Sequence, residues 1–439
     1  MGKSWRNWTG DVTCAPAVVE RPRSVDEVAT GILRAADSGR NVRVVGSGHS
    51  FGDTVCTDGT LMSLDELRGL HHVDKANGLV KVGAGTKLHE LNQLLDAEGL
   101  ALPNLGDIDR QSVAGAMSTA THGTGRRLGN LATQVESLDL VLADGSALTV
   151  TAADAETLAA ARVSVGALGV ITAYTLRVVS AFNLHSHDAP LPLDEVLGSL
   201  DELVDENDHF EFFLFPHSDI ALTKRNNRTE EAAAPASRIA SFVTGRVVEN
   251  QLLDLICRIG RQAPGQIPRL NRLVTRLVTE TSQVDKSYRV FASPRDVRFT
   301  ESEWALPREA CAGVLQDVRS LVAKKRFDVN MPLEVRFVAA DEESYLSPSY
   351  GRETAYLAVH AYQGMAWTRY FEAVQEIALA NGGRPHWGKR HSLDAAQLSR
   401  LYPEWDRFQT VRTRLDPGGV FANAHTRRLF DPAREGVNR

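Results

Sequence analysis

Asn41-Val-Arg-Val-Val45 runs straight into Gly46-Ser47-Gly48-His49-Ser50, and sixty residues later a second small-residue segment follows. That segment reads Asn104-Leu-Gly106-Asp107-Ile-Asp109, then Ser112-Val-Ala-Gly115-Ala-Met-Ser-Thr119-Ala-Thr121-His122-Gly123-Thr124-Gly125. The first is a β-branched strand ending in a turn where glycine permits positive φ and backbone N–H groups can crowd around a phosphate. The second is rich in small and hydroxyl residues, so no large side chain blocks approach to its backbone. Either turn alone reads equally well as a packing turn. Two of them in one region, both at strand ends, favour a ligand of pyrophosphate size.

The surrounding chain alternates helices and strands. Ser24-Val-Asp-Glu27 is a capping box that opens an amphipathic run ending near Gly39. Leu79–Val82 is a strand stopped by Gly83-Ala-Gly85, after which Thr86 caps a helix over Lys87–Glu98 that Gly99 ends. Leu138–Ala143 and Ala147–Thr151 flank Asp144-Gly145, a hairpin signal, and Val170–Val179 is the next strand. The Rossmann fingerprint fails, because Gly46-Ser-Gly48 continues into His49, Ser50 and Phe51 with no third glycine in place. No phosphate-loop motif with a Gly-Lys-Ser/Thr end occurs either.

Beyond Phe182 the pattern changes. Phe210–Phe215, Leu333–Val338 and Ala355–Ala361 read as antiparallel strands between long helical stretches, and 225–240 reads as a mobile surface loop. Arg258, Arg261, Arg269, Arg272 and Arg276 make one helical region basic, which fits a solvated face or a contact with a membrane or partner. The boundaries this implies are 1–181, 182–397 and a tail, 398–439.

Composition narrows the function. With 43% hydrophobic and 24% charged residues, the 439-residue chain can bury a large core. Its net charge of -6 argues against a nucleic-acid partner. The opening MGKSWRNWTGDVTCAP holds no apolar secretory core, and no run of about eighteen apolar residues suggests a membrane span, so a cytoplasmic protein is expected. Cys14, Cys56, Cys257 and Cys311 form no C-x-x-C pair and read as free thiols; no metal site is expected, with His71-His72, His185 and His187 read as surface residues.

These residues together resemble FAD-linked oxidoreductases of the vanillyl-alcohol-oxidase fold, and more narrowly the sugar-1,4-lactone oxidases and bacterial alditol oxidases. The likeness spans nearly the whole chain: Trp5-Arg-Asn-Trp8, Val44–Ser50, Asn104–Gly125, Gly166-Ala-Leu-Gly169-Val170-Ile171, Glu334-Val-Arg336-Phe, Leu346-Ser-Pro-Ser-Tyr350, Pro385-His-Trp-Gly-Lys389, Leu415-Asp-Pro417 and Asn423. The resemblance implies an α+β fold: a two-part FAD-binding domain, a cap or substrate domain on an antiparallel sheet, and a tail returning to the first. It implies that Val44, Val45, Gly46, Ser47, Gly48, His49 and Ser50 wrap the pyrophosphate. Gly106, Asp107, Ser112, Gly115, Thr119, Thr121 and His122 approach phosphates and flavin from the other side, and Gly169 and Val170 the adenosine half. His49 is the implied covalent anchor to the flavin 8α-methyl. Relatives with a second, cysteinyl bond carry a cysteine in the segment 104–125, which here has none, and Cys56 lies too near His49 to serve.

The chemistry implied is oxidation of a hydroxyl on a small polyhydroxylated substrate by hydride transfer to flavin N5, with O2 reduced to H2O2. Glu334 and Arg336, two apart on a strand, face one side; a carboxylate accepts from hydroxyls and a guanidinium donates to the oxygen being oxidised. Lys389 supplies a cation near the flavin, and His360 with Tyr362 on a neighbouring strand lines the same pocket. A sugar-1,4-lactone is the expected substrate. The alternatives are an alditol or sugar oxidase, a lactone dehydrogenase with a non-oxygen acceptor, and a flavin-fold protein without turnover, which loss of the Glu334, Arg336 and Lys389 trio would mark. Gly106 bears on the acceptor: the resemblance places it beside the flavin edge, where alanine would hinder oxygen.

Overall fold

The computed structural model describes residues 4–234, 246–292 and 297–432, with no account of the side chains of 246–250. Three sheets carry the architecture. The first is parallel: β1 (Val18–Glu20), β2 (Val42–Val45) and β3 (Thr60–Ser63), in the order β1-β3-β2. The second is antiparallel and holds β4 (Leu70–Asp74), β5 (Leu79–Gly83), β6 (Val135–Val141), β7 (Ala147–Val150) and β8 (Val170–Arg177), in the order β7-β6-β8-β5-β4. The third has eight strands, all drawn from residues 183–385: β9 (Asn183–Pro192), β10 (His209–Leu214), β11 (Ile220–Thr229), β12 (Thr281–Lys286), β13 (Phe299–Pro307), β14 (Leu333–Val338), β15 (Thr354–Tyr362) and β16 (Arg384–Pro385). Their order is β12-β9-β11-β10-β14-β15-β13-β16.

Local sequence explains many boundaries. Helix α1 (Val25–Asp37) starts at Ser24, whose side chain accepts from Glu27 N, while the Glu27 carboxylate reaches back to Arg23 N at 2.8 Å. Its buried stripe Val28, Ile32 and Ala35 has helical spacing. The β6–β7 hairpin turns through Gly145 at φ +78°. Thr86 does not cap the next helix. It donates to Gly83 O at 2.6 Å and accepts from Gly69 N at 2.9 Å, and α2 (Leu88–Ala97) begins after Lys87.

The expectation of a loop over 225–240 is corrected in its first part. Arg225–Thr229 complete β11, paired throughout with β9 and, at Arg225 and Asn226, also with β10. Their polar side chains suit a strand whose two neighbours supply the backbone bonds. Residues 235–240 of that stretch lie outside the described residues. Among the described residues no helix is long and apolar enough to cross a membrane.

The segment after Leu415 returns to the parallel sheet. Val42 N donates to Val420 O at 2.8 Å, and Asn41 Nδ2 to Ala422 O at 2.8 Å. Arg43 is 2% exposed and directs its guanidinium at four carbonyls: Thr54, Gly166, Val165 (each 2.9 Å) and Phe421 (2.6 Å). Burial pulls its pKa down to about 10, with Asp416 opposing. Asn423 accepts from Thr426 N, capping the helix Ala424–Phe430, and its amide lies 3.2, 3.1 and 2.7 Å from the carbonyls of Asp53, Thr54 and Cys56. Asn423→Asp keeps the cap but turns a carboxylate toward those carbonyls. Urea unfolding is expected to show a loss of about 2 kcal/mol or more, larger than for Asn423→Ala; a smaller loss for Asp than for Ala would show that the cap alone matters.

Candidate functional site

The strand-to-turn passage at the end of β2 lines a cleft enclosing about 870 Å3 of empty space. Val44, Val45, Gly46, Ser47, Gly48, His49 and Ser50 form one wall, and Ser112, Gly115 and Thr119 the facing one. Gly48 has φ +69°, the left-handed region that glycine favours. Gly46 faces Ser112 so closely that a Cβ would sit 2.2 Å from Ser112 Oγ. Ser47 Oγ is shut from solvent and bonds to no described protein atom. A long cradle with an unsatisfied hydroxyl and glycines at closest approach fits a dinucleotide pyrophosphate.

A second chamber, about 900 Å3, opens from the same place: His49, Ser50, Gln111 and Thr119 line both. The third sheet supplies Glu301, Glu303, Glu334, Arg336 and His360 to its lining. The register sets Glu301 opposite His360, Glu303 opposite Ala358 and then Glu334, and Tyr356 opposite Arg336 and then Glu211. Directly opposed residues in an antiparallel pair share a face, so one face of four adjacent strands carries all these groups. Ala358 leaves room between Glu303 and Glu334.

Electrostatics fix the charge states. Burial alone would lower the Arg336 pKa, but the carboxylates of Asp107, Glu334 and Glu211 hold it well above the usual guanidinium value. Arg336 Nε donates to Glu211 at 2.9 Å, and Nη2 pairs closely with both Asp107 and Glu334. Burial likewise opposes the charge on Lys389, yet Glu301 at 2.5 Å and Glu303 at 3.8 Å raise its pKa. Glu303 is held well below the usual carboxylate range, against its burial, by His122 and Lys389.

The histidines can be assigned protons from their partners. His360 Nδ1 meets Pro332 O at 2.8 Å, so that nitrogen carries the hydrogen, and Nε2 lies 3.7 Å from Glu301 and 3.9 Å from Glu334. His386 Nδ1 accepts from Gly388 N at 3.0 Å, and burial pushes its pKa down to about 3. His122 Nδ1 meets Gly123 O at 2.8 Å and must donate; its Nε2 is 3.0 Å from Glu303 Oε1, so a second proton lies in that contact.

Several expected placements change. Gly169 and Val170 line neither space; a Cβ on Gly169 would meet Val141 O at 2.8 Å, and it is Val165 and Gly166 that reach the cleft. His122 does not face the phosphate cradle: its ring stacks on Tyr356 at 3.6 Å and bonds Glu303. Asp107 is turned onto Arg336. Tyr362 shares a face with His360 but donates to Asp254 at 2.8 Å, outside the chamber. Asp107 and His122 nevertheless line the second chamber, where Gly106, Thr121, Glu334, Arg336, Lys389 and His360 also meet. Glu301, Glu303, His386 and Gln111 were missed. The signal for the first two was Thr300-Glu301-Ser302-Glu303 between Phe299 and Trp304, a strand with alternate acids. Among the described residues there are two clusters of ligand-type atoms, His122-Glu303-His386 and Asp107-Glu211-Glu334. The Arg336 guanidinium sits against the second, and Lys389 Nζ against the first.

Residues 16–151 match the family described as FAD binding domain. With the cradle above, this defines an FAD-dependent oxidoreductase. Residues 174–429 match the family described as D-arabinono-1,4-lactone oxidase. An L-gulono-1,4-lactone dehydrogenase of Mycobacterium tuberculosis is 49% identical over 98% of this chain and 100% of its own. An L-gulonolactone oxidase of Scyliorhinus torazame is 34% identical over 98% of this chain and 99% of its own, and an alditol oxidase of a Streptomyces 33% identical over 98% and 100%. A cholesterol oxidase from Brevibacterium sterolicum superposes with a TM-score of 0.81 at 17% identity, covering 98% of this chain and 97% of that one, which shows the vanillyl-alcohol-oxidase type of fold. The chain therefore belongs to the sugar-lactone oxidase and dehydrogenase family.

Buried neutral imidazoles make the fold acid-sensitive. His386 and His425 are both pushed from 6.5 to about 3, burial being the largest cause in each. Below pH 6.5 the unfolded chain takes up protons that the folded chain refuses. Their contribution is therefore complete above that value and is lost as pH falls toward 3, at about 1.4 kcal/mol per pH unit for each group. Urea unfolding from pH 7 to 4 checks this, and His425→Gln is expected to flatten the slope; an unchanged slope would remove His425 from the account.

Proposed function

We propose that the chain oxidises a hydroxyl of an aldono-1,4-lactone in the second chamber. The observation that carries this is the shared sheet face. Glu301, Glu303, Glu334, Arg336 and His360 converge there beside Lys389, with acceptors and donors enough for several adjacent hydroxyls. Leaving such buried groups unmatched is costly, which selects against plain alcohols. FAD, when bound, supplies the sink for two electrons and the carbinol hydrogen.

The residues of the chain handle the proton and the pose. His360, its Nδ1 hydrogen held by Pro332 O, takes the hydroxyl proton on Nε2, and Glu301 and Glu334 stabilise the imidazolium that results. Lys389 and Arg336 stay cationic and orient the oxygen that loses this proton. Backbone N–H groups of 46–50 and the hydroxyls of Ser47, Ser112 and Thr119 hold the cofactor's phosphates.

For the electron acceptor we favour a species other than oxygen, on the name of the 49% identical relative. A second reading, O2 reduced to H2O2, is supported by Gly106. Its φ is not positive, so the backbone conformation does not require glycine, although close packing favours it, an added Cβ lying 3.0 Å from His122 O.

Purified protein is expected to bleach anaerobically with L-gulono-1,4-lactone faster than with alditols, and to turn over with a dye but not in air alone. Lys389→Met is expected to slow bleaching at least about a hundredfold, roughly 2.7 kcal/mol. Faster bleaching by an alditol would reassign the substrate; rapid reoxidation in air, slowed by Gly106→Ala, would reassign the acceptor.

We further propose that His49 holds the flavin covalently. It lines both spaces, stacks on Trp8 with ring centroids 5.4 Å apart, and is kept neutral by burial, which pushes its pKa down to about 4. Acid-denatured protein is expected to stay yellow, and His49→Ala to release FAD; flavin freed by acid from the natural chain would overturn the link.

A further inference from the structure

Helices α4 (Arg246–Gln262) and α5 (Ile267–Leu277) follow one another and bury Ile256 and Val274 in one cluster with Phe215. Their opposite faces consequently point away from the body. Among the described residues nine large hydrophobic side chains are exposed, and five of them lie here: Leu252, Leu255, Ile259, Leu273 and Leu277. Leu255, Leu273 and Leu277 are each more than half exposed, at 54%, 53% and 56%. Such concentration is unlike the single exposed leucines scattered over ordinary surfaces.

Charge on the same faces is one-sided. Residues 255–279 contain five arginines and no aspartate or glutamate, in a chain whose net charge is -6. Arg258 pairs with Asp254 at 2.6 Å and Arg261 donates to Gln363 O at 3.0 Å. Arg269, Arg272 and Arg276, spaced at one turn beside Leu273 and Leu277, pair with no carboxylate among the described residues; Arg269 reaches only Gln266, at 3.4 Å. A purely solvated face would carry mixed charges and few leucines. Neither helix is apolar enough to span a bilayer.

The geometry points to an anionic lipid surface as the occupant: the two helices lie in the headgroup region, leucines inserted and guanidinium groups on lipid phosphates. Guanidinium matches phosphate in a two-pronged way that ammonium does not, and apolar insertion with basic contacts is how interfacial helices bind. The placement has a structural corollary, because Leu253 on the inner face of α4 lines the second chamber. Docking holds that chamber next to the bilayer.

Flotation of the full protein with liposomes tests this. Binding is expected to vesicles of phosphatidylcholine mixed with an equal part of phosphatidylglycerol, and to weaken in high salt. Both Leu255→Gln/Leu273→Gln/Leu277→Gln and Arg269→Gln/Arg272→Gln/Arg276→Gln are expected to lower the bound fraction at least about tenfold, with thermal unfolding unchanged. The proposal is overturned if the natural chain does not float with the anionic vesicles or if either triple variant floats equally well. It is also overturned if light scattering shows a dimer that the leucine variant converts to a monomer, which would make the face a contact between copies.

Discussion

One guanidinium ties the two sides of the chamber together. Arg336 takes Glu334 from its own strand, Glu211 from the neighbouring strand, and Asp107 from the small-residue segment that also borders the cofactor cleft. A buried cation is tolerated only when its donors are matched, and removing one partner of such a set costs several kcal/mol. The turn at Gly106-Asp107 is thereby held against the sheet.

A second consequence follows from the count of charges in the chamber. Asp107, Glu301, Glu303 and Glu334 face Arg336 and Lys389, with the histidines able to make up part of the difference, while Glu211 behind Arg336 also pairs with Lys224 at 3.1 Å. The surplus is acceptor capacity. A ligand that brings hydroxyl hydrogens relieves it, whereas a carboxylate-bearing ligand would be repelled. The lactone ring, which carries no charge, suits that field better than the open-chain acid formed on its hydrolysis.

Much of this was visible in the sequence where the deciding pattern is local. The strand ending at Val45 and its glycine turn, the Asp144-Gly145 hairpin and the strand around Glu334 and Arg336 need only neighbouring residues. What escaped depends on distant partners. Phe299–Pro307 hides a strand because its inward positions are acids, the reverse of the usual apolar-in pattern, and the groups that pair with those acids, His122, His360 and Lys389, are all distant in sequence. The position of Gly169 was hidden for a related reason. Its sharp approach is to Leu140 and Val141, while Gly166, three residues earlier, is the one beside Arg43. Nothing within either segment announces that Arg43 will saturate carbonyls 123 and 378 residues away.

That last contact has a bearing on synthesis. The edge of the parallel sheet is completed by the carbonyls of Val420, Phe421 and Ala422, which accept from Val42, Arg43 and Asn41, and the loop at 53–56 by the Asn423 amide, which donates; the strand that leads into the cradle at 46–50 lacks these contacts until those residues are made. Strands of the eight-stranded sheet can pair first, since every one of them precedes residue 386. A chain lacking 420–423 has neither the Phe421 carbonyl that Arg43 donates to nor the Asn423 amide that ties Asp53, Thr54 and Cys56, so this late segment completes the sheet edge that leads into the cradle.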